Sequence, residues 1–207
     1  ASPENKEKVR FILDVKQFGE REIGLKPTDN YSTFYDTEGE PISWVVTACR
    51  KDRFEPYLWW FPIVGAVPYK GFFDRDDALS QAGELEKAGY DVSVGSVGAY
   101  STLGWFSDPI LSTMLDDSGE ALADLILHEL THGQVYVSGR GDFNESLASF
   151  IGRQGSLDYF RKRYGENSGS HRRAIRRYAD EERFDSFMLS LYNELDSYYR
   201  SSPPDAQ

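Results

Sequence analysis

The second half of the chain is organised around residues 125–132, which read Leu-Ile-Leu-His-Glu-Leu-Thr-His. The apolar residues here recur at helical spacing, so a helix is expected over about residues 119–137. His128 and His132 are four residues apart and therefore share one face of that helix. The apolar setting turns this face toward the core, where two unpaired imidazoles would be costly. The stretch thus predicts a core-facing helix that carries two side-by-side metal ligands.

The pattern His-Glu-x-x-His is typical of helices that bind zinc. Both imidazoles can reach one ion, and Glu129 can stand over the open position of that ion and take a proton from water there. A catalytic zinc site needs a third protein ligand and leaves a fourth position for water. We therefore predict one zinc ion per chain with Glu129 as the base. The competing interpretation is that His128 and His132 are ordinary, partly buried histidines.

Glu145 is the candidate for the third zinc ligand. It stands near the start of the next helix, which is expected to be capped by Asp142 and to run to about residue 164. An antiparallel hairpin of the two helices brings Glu145 close to the level of His132. Ala148, one turn further on, would let the helices pack closely beside the ion. The alternative is that Glu145 answers Asp142 in a capping box.

The first half of the chain has a mixed pattern of elements. Helices are expected at about 2–23, 74–89 and, near the end of the chain, 171–199, and strands at 42–49, 57–64 and 90–97. The fold class predicted from this order is α+β, with a small mixed sheet in the N-terminal half and a helical C-terminal half that contains the metal-binding hairpin. The expected domains are a metallopeptidase domain over 1–165 and a helix over 166–207 that packs on or extends it.

The charge of the chain excludes one class of partner. There are 34 acidic and 23 basic residues, and a net charge of -11 repels nucleic-acid phosphates. No apolar run is long enough to cross a bilayer. One basic stretch, residues 161–177, is either a set of solvated helix faces or a peripheral contact with acidic lipid or an acidic substrate end. A single cysteine, Cys49, excludes an internal disulfide and a thiolate zinc cluster.

Several segments carry a resemblance to a known family: residues 65–73, 89–92, 99–109 and 111–115, together with the two zinc segments. Over about residues 7–160 the chain resembles a bacterial family of zinc aminopeptidases of the gluzincin type, formerly a family of unknown function. The resemblance implies a zincin-like peptidase that acts on peptides or proteins in the bacterial cell envelope or periplasm. Family members often carry a cysteine pair where this chain has Trp60 and Ala66.

A peptidase also needs a hydrogen-bond donor for the oxyanion of its intermediate. The candidates are Tyr100, Tyr178 and His171, and each has an alternative role in packing or at a solvated helix end. Two other functions stay open, a non-catalytic zinc-stabilised interaction module and a metal-dependent hydrolase of a non-peptide bond. Glu129 favours catalysis, because a purely structural zinc site has no use for a carboxylate over an open position.

Overall fold

A computed structural model describes residues 2–62, 65–97, 108–137 and 139–201. Its helices are α1 (Pro3–Phe18), α2 (Arg75–Lys87), α3 (Gly119–His132), α4 (Gly141–Tyr164) and α5 (Gly169–Ser201). Its strands are β1 (Phe34–Tyr35), β2 (Ser43–Arg50), β3 (Trp59–Phe61), β4 (Gly65–Val67), β5 (Lys70–Phe72), β6 (Tyr90–Val97) and β7 (Ile110–Leu111). The fold is α+β, as the sequence predicts.

The chain divides into two compact units. One comprises residues 1–40 and 98–180, and the other comprises 41–97 and 181–207. The division of the sequence into a domain over 1–165 and a helix over 166–207 stays a prediction. Within the described residues, no helix is long and apolar enough to span a membrane.

The first unit is a helical assembly built around α3. Helix α1 packs on α3, and α3 packs along α4. The apolar side chains that fill the space between them include Ile12, Val15, Phe18, Leu122, Ile126, Leu127, Ala148 and Tyr159. At one side, β1 pairs in parallel with β7. Because the histidine helix lies between α1 and α4, its ligand-bearing stretch is embedded in the core of this unit.

The second unit is a small sheet covered by a helix. Strands β5, β2 and β6 form an antiparallel sheet in that order. One face of β2, with Val46 and Ala48, packs on Ala78 and Leu85 of α2. Strands β3 and β4 form a separate antiparallel pair in which Trp60 lies opposite Ala66. The strands expected at 42–49 and 90–97 are confirmed, to within one residue at each end.

The limits of α3 differ from the expected ones. Ser118 is the N-cap, and its Oγ accepts a hydrogen bond from Ala121 N–H. At the other end the helix stops at His132, five residues before the expected limit. Gly133 follows, and glycine is a poor helix former; the valines at 135 and 137 are β-branched and lose side-chain freedom in a helix. The connection to the next helix is therefore longer than the sequence suggested.

The start of α4 also differs from expectation. Asp142 lies inside the first turn, and Arg140 occupies the N-cap position without a side-chain capping bond. The carboxylate of Asp142 still stabilises the helix, because negative charge is favourable beside the exposed N–H groups of a first turn. The expected end of this helix at Tyr164 is confirmed.

Candidate metal centre

The α3–α4 pair brings the three sequence-predicted ligands together. His128 and His132 lie one turn apart on α3, and Glu145 lies on the second turn of α4. His128 Nε2 is 3.1 Å from His132 Nε2. The carboxylate of Glu145 spans the pair, with Oε2 at 3.5 Å from His128 Nε2 and Oε1 at 3.4 Å from His132 Nε2. These three side chains could hold a metal ion.

These distances fit a tetrahedral ion. Zinc takes imidazole nitrogen and carboxylate oxygen at about 2.0–2.2 Å, which sets neighbouring ligand atoms about 3.3–3.6 Å apart. The observed separations of 3.1, 3.4 and 3.5 Å are close to that range. Two imidazole nitrogens at 3.1 Å with a carboxylate beside both form a donor set for one cation. The residues present therefore fit a divalent metal in composition and in spacing.

Burial differs among the three ligands and defines the open side of the centre. The side chain of His132 is 5% exposed and that of His128 is 21% exposed, whereas that of Glu145 is 66% exposed. The histidines are thus fixed by the core of the unit, and the carboxylate reaches them from the solvent side. A small molecule or peptide would approach the centre from the side of Glu145.

Glu129, next to His128 in the chain, carries an unsatisfied oxygen. Within the described residues, its Oε2 is buried and makes no hydrogen bond, and the same is true of Nδ1 of His132. A buried carboxylate oxygen without a partner is costly, and such atoms are uncommon in proteins. Glu129 directly follows the first ligand in the chain. A hydrogen bond to a water molecule or to a substrate group would satisfy its unpaired oxygen.

Small residues on α4 allow it to approach α3 closely at the ligands. Ala148 is fully buried, in agreement with the role that the sequence suggests for it. One turn later, a Cβ added at Gly152 would lie 2.8 Å from the backbone oxygen of Asp124 and 3.1 Å from Cβ of His128. Only glycine fits at this position without moving the helix. The spacing between Glu145 and the histidines thus depends on the small residues of α4.

Tyr31 is a residue near the centre that the sequence did not point to. It is 2% exposed, and its backbone has a φ of 58°, in the left-handed region that non-glycine residues rarely adopt. Its N–H donates to the backbone oxygen of Asp108 at 2.6 Å. Burial first, and then the negative charges of Glu129 and Asp108, raise the pKa of its phenol. A neutral, buried phenol therefore lies within the electrostatic field of Glu129.

The signal for Tyr31 in the sequence is weak. The segment Asp29-Asn30-Tyr31 has turn-forming residues, and turns tolerate a positive φ. Its closeness to Glu129 depends on contacts between segments far apart in the chain, including the hydrogen bond from Asp108 N–H to Asn30 Oδ1. No local sequence pattern predicts contacts between segments that are so far apart in the chain.

The basic stretch over 161–177 forms ion pairs with neighbouring helices. Among them, Arg173 Nε lies 2.8 Å from Glu120 and Arg177 Nη1 lies 3.1 Å from Asp124, so that α5 is tied to α3. Lys162 Nζ lies 2.9 Å from a carboxylate oxygen of Glu22. These pairs give part of the stretch a structural role. Contact with acidic lipid or an acidic substrate end stays a prediction.

Of the three oxyanion candidates, the structure describes two, Tyr178 and His171. Tyr100 lies outside the described residues. The hydroxyl of Tyr178 is 2.7 Å from that of Ser156, which stands about 16 Å along α4 from Glu145 at the usual rise per residue. His171, near the start of α5, accepts a hydrogen bond from Asn167 N–H through Nδ1. Tyr178 and His171 therefore have contacts of their own within the helical unit.

Comparison with known proteins identifies the family but no individual relative. No curated protein and no solved structure matches the chain. A model of the family described as "Putative aminopeptidase" matches residues 1–207, and the chain therefore belongs to that family.

Proposed function

We propose that this protein is a zinc-dependent metallopeptidase, and that it is an aminopeptidase, as the description of its family suggests. The observation that carries the proposal is the clustering of His128, His132 and Glu145 at 3.1–3.5 Å. Glu129, the residue after His128, adds a buried oxygen that has no hydrogen-bond partner among the described residues. Two imidazoles and one carboxylate are a common ligand set of catalytic zinc in peptidases. The carboxylate next to the first histidine is the feature that a purely structural zinc site does not need.

The chemistry divides between the metal and Glu129. A zinc ion held by the three ligands would polarise the carbonyl group of a peptide bond and lower the pKa of a water molecule. Glu129 Oε2 would accept a proton from a water molecule as the oxygen of that water bonds to the carbonyl carbon. The carboxylic acid would then return the proton to the amine nitrogen as the carbon–nitrogen bond breaks. Glu129 therefore begins and ends the reaction ionised, and one water is consumed for each bond cleaved.

Two environmental features support this division of roles. The partly buried position of Glu129, with Oε2 fully out of solvent, keeps bulk water from competing for the proton that it carries. Glu145, on the other hand, is mostly exposed, so a peptide would have access to an ion held by it. The base would thus be sheltered from solvent while the ion could be reached from the side of Glu145.

The test separates metal binding from catalysis. Glu129→Gln keeps the shape of the side chain and removes its basic oxygen, so the variant should bind one zinc per chain and fold normally. Hydrolysis should fall by about 10²–10⁴-fold, the contribution that general bases typically make. Glu7→Gln, an exposed glutamate on α1, is the matched control and should leave activity unchanged. Cleavage of a mixed peptide library, with and without chelator, gives the rates, and metal analysis gives the zinc content.

The outcomes distinguish the competing functions. Chelator-sensitive cleavage that Glu129→Gln loses at full zinc content supports the peptidase. Equal cleavage by both proteins refutes the role of Glu129. Zinc binding without cleavage of any peptide favours the zinc-stabilised interaction module or a hydrolase of another bond. Release of single N-terminal residues, rather than internal fragments, is the result expected of an aminopeptidase.

A further inference from the structure

The second half of α5 carries a continuous row of exposed apolar side chains on one face of the helix. The row, which we call the α5 stripe, consists of Phe184, Phe187, Met188, Leu191, Leu195 and Tyr198. The spacing i, i+3, i+4, i+7, i+11 and i+14 places all six side chains within about 100° around the helix axis. Each is at least 36% exposed, and the three aromatic residues are 61–64% exposed. A grouped apolar face that stays exposed commonly marks a surface for a protein partner.

A neighbouring face of the same helix segment is already in use. Residues 181–201 belong to the compact unit that contains the three-stranded sheet. Phe54 of that unit stacks on Tyr192 with ring centroids 4.5 Å apart, and it meets Tyr199 edge-on at 5.5 Å. Tyr192 and Tyr199 are seven residues apart and point the same way, about a quarter of a turn from the centre of the α5 stripe. The contact with Phe54 therefore holds the helix and leaves the stripe facing solvent beside it.

The acidic residues of the segment lie mostly away from the α5 stripe. At 100° per residue, four of them fall on the side of the Phe54 contact or on the back of the helix. These four are Glu181, Glu182, Asp185 and Asp196. The opposite flank of the stripe, which we call the open flank, carries serines together with one base, Arg183, and one acid, Glu194. Negative charge is thus kept off the open flank, although the chain as a whole is acidic.

Arg183 and Glu194 make the open flank complementary to itself. In an antiparallel pair of helices, equivalent flanks face each other, whereas in a parallel pair opposite flanks do. A two-fold axis at the level of Leu189 brings Arg183 of each copy beside Glu194 of the second copy. The same axis sets Phe187 of each copy at the level of Leu191 of the second copy. One arrangement therefore satisfies both the charged and the apolar side chains.

The exposed area is enough for a weak but specific pair. Aromatic side chains bury about 150–250 Å² each, so at the observed exposure the three rings of one copy leave about 300–450 Å² open to solvent. Two copies, with their aliphatic members, reach about 1,000 Å², the lower limit of a specific interface. A lipid surface fits less well, because helices that lie on membranes are rich in basic residues. Residues 181–201 contain five acids, two arginines and no lysine.

We propose that the α5 stripe is a dimer surface on which the same helix of a second copy of this chain packs in the antiparallel direction, with reciprocal pairs between Arg183 and Glu194. The inference does not depend on the proposed peptidase function. Because the area is close to the lower limit for a specific interface, the dimer should be reversible, with a Kd of about 10 µM.

The first test measures association of the full chain. Sedimentation equilibrium over about 1–200 µM should show wild type passing from monomer to dimer. Phe187→Ser/Leu191→Ser should raise Kd by at least about 100-fold, because each copy loses two apolar side chains at the centre of the pair. Leu189→Ser is the matched control, since Leu189 is 62% exposed on nearly the opposite side of the same helix. It should associate as wild type does, and circular dichroism should give all three proteins the same helix content.

The second test examines the antiparallel arrangement by exchanging charges. Arg183→Glu and Glu194→Arg each place like charges at both ends of the pair and should raise Kd by about 10-fold. The double variant Arg183→Glu/Glu194→Arg restores both pairs with their signs exchanged, so its Kd should return close to that of wild type. Both residues lie outside the α5 stripe, so these variants also carry the test if Phe187→Ser/Leu191→Ser does not fold.

Each outcome decides the proposal. A dimer that Phe187→Ser/Leu191→Ser leaves unchanged forms through another surface and overturns it, as does an equal loss of association in Leu189→Ser. If the charge-exchanged double variant associates no better than the single variants, the antiparallel pairing is wrong. A chain that stays monomeric at every concentration also refutes the dimer. Binding of that monomer to phosphatidylcholine vesicles, lost in Phe187→Ser/Leu191→Ser, would assign the α5 stripe to a lipid surface instead.

Discussion

Gly152 offers the sharpest test of the way in which helix packing sets the metal centre. A Cβ at this position would lie 2.5 Å from Asp124 Oδ1, 2.8 Å from Asp124 O and 3.1 Å from His128 Cβ. The carboxylate oxygen could rotate away, but the backbone oxygen belongs to α3 and cannot. Relief of the 2.8 Å contact requires the two helices to separate by about 0.5 Å at the level of His128. The substitution Gly152→Ala thus changes the geometry of the centre without replacing a ligand.

The expected magnitude follows from two opposing effects. Overpacking of a core by one methyl group typically costs about 1–3 kcal/mol. Alanine in place of glycine in a helix interior returns about 1 kcal/mol through helix propensity. The net loss is therefore at most about 2 kcal/mol, which lowers Tm by at most roughly 8 °C in a chain of this size. Zinc affinity should fall by about 10-fold or more, the usual effect of changes in the residues that support metal ligands.

Gly155→Ala is the matched control on the same helix. Its Cβ would meet Ile23 Cδ1 at 2.7 Å and Leu127 Cδ1 at 2.8 Å, which are the ends of flexible side chains. Those methyl groups can turn aside, so α4 need not move and zinc affinity should be close to that of wild type. Thermal unfolding by circular dichroism gives Tm, and competition with a chelating dye gives the zinc affinity. If Gly152→Ala binds zinc as tightly as Gly155→Ala does, packing at Gly152 does not control the centre.

Three further results are expected. Glu145→Ala should weaken zinc binding strongly in a competition assay, whereas Glu145→Asp should retain weaker binding; unchanged affinity in Glu145→Ala means that another group completes the ligand set. Removal of zinc by chelator should lower the Tm of wild type, because zinc at about 100 times its Kd stabilises the folded state by about 2.7 kcal/mol. The same treatment should leave the Tm of His132→Ala unaltered. Asn144→Ala should leave the N–H and C=O of Val137 without their side-chain partner, at a cost of about 1–3 kcal/mol. Proteolytic cleavage between α3 and α4 should therefore be faster than in wild type. Cleavage at the wild-type rate argues against a role of Asn144 in holding the connection to the start of α4.

The histidine pair and the helix that carries it could be predicted because both depend on local order. A spacing of four residues places two side chains on one face of any helix, whatever surrounds it. The C-terminal limit of α3 was harder to predict. The expected end at residue 137 is wrong because helix formation stops where Gly133 begins an unfavourable stretch. Propensity differences of a few tenths of a kcal/mol per residue decide such limits, and tertiary contacts readily outweigh them.

Glu145 was a sound candidate although the connection before it was misjudged. The connection comprises residues 133–140 and is longer than the expected helix limits imply, yet Glu145 still lies at the level of the histidines. The double hydrogen bond of Asn144 to Val137 draws the longer segment back against the start of α4. Tyr31 and Gly152 could not be found in this way, because each matters through a contact with a residue that is distant in sequence.

The unequal burial of the ligands has a consequence for how metal binding and folding are coupled. His132 is nearly enclosed, so its removal leaves an unfilled space in the core as well as a missing ligand. Glu145 is two-thirds exposed and contacts both histidines from outside, so its removal takes away a ligand and little packing. Loss of stability in a Glu145 variant therefore reports the metal contribution, whereas the same loss in a His132 variant combines two effects. Because the histidines are held by the core and the carboxylate is not, the ion would join α4 to a preformed pair on α3, and the carboxylate is the ligand through which binding and release would proceed.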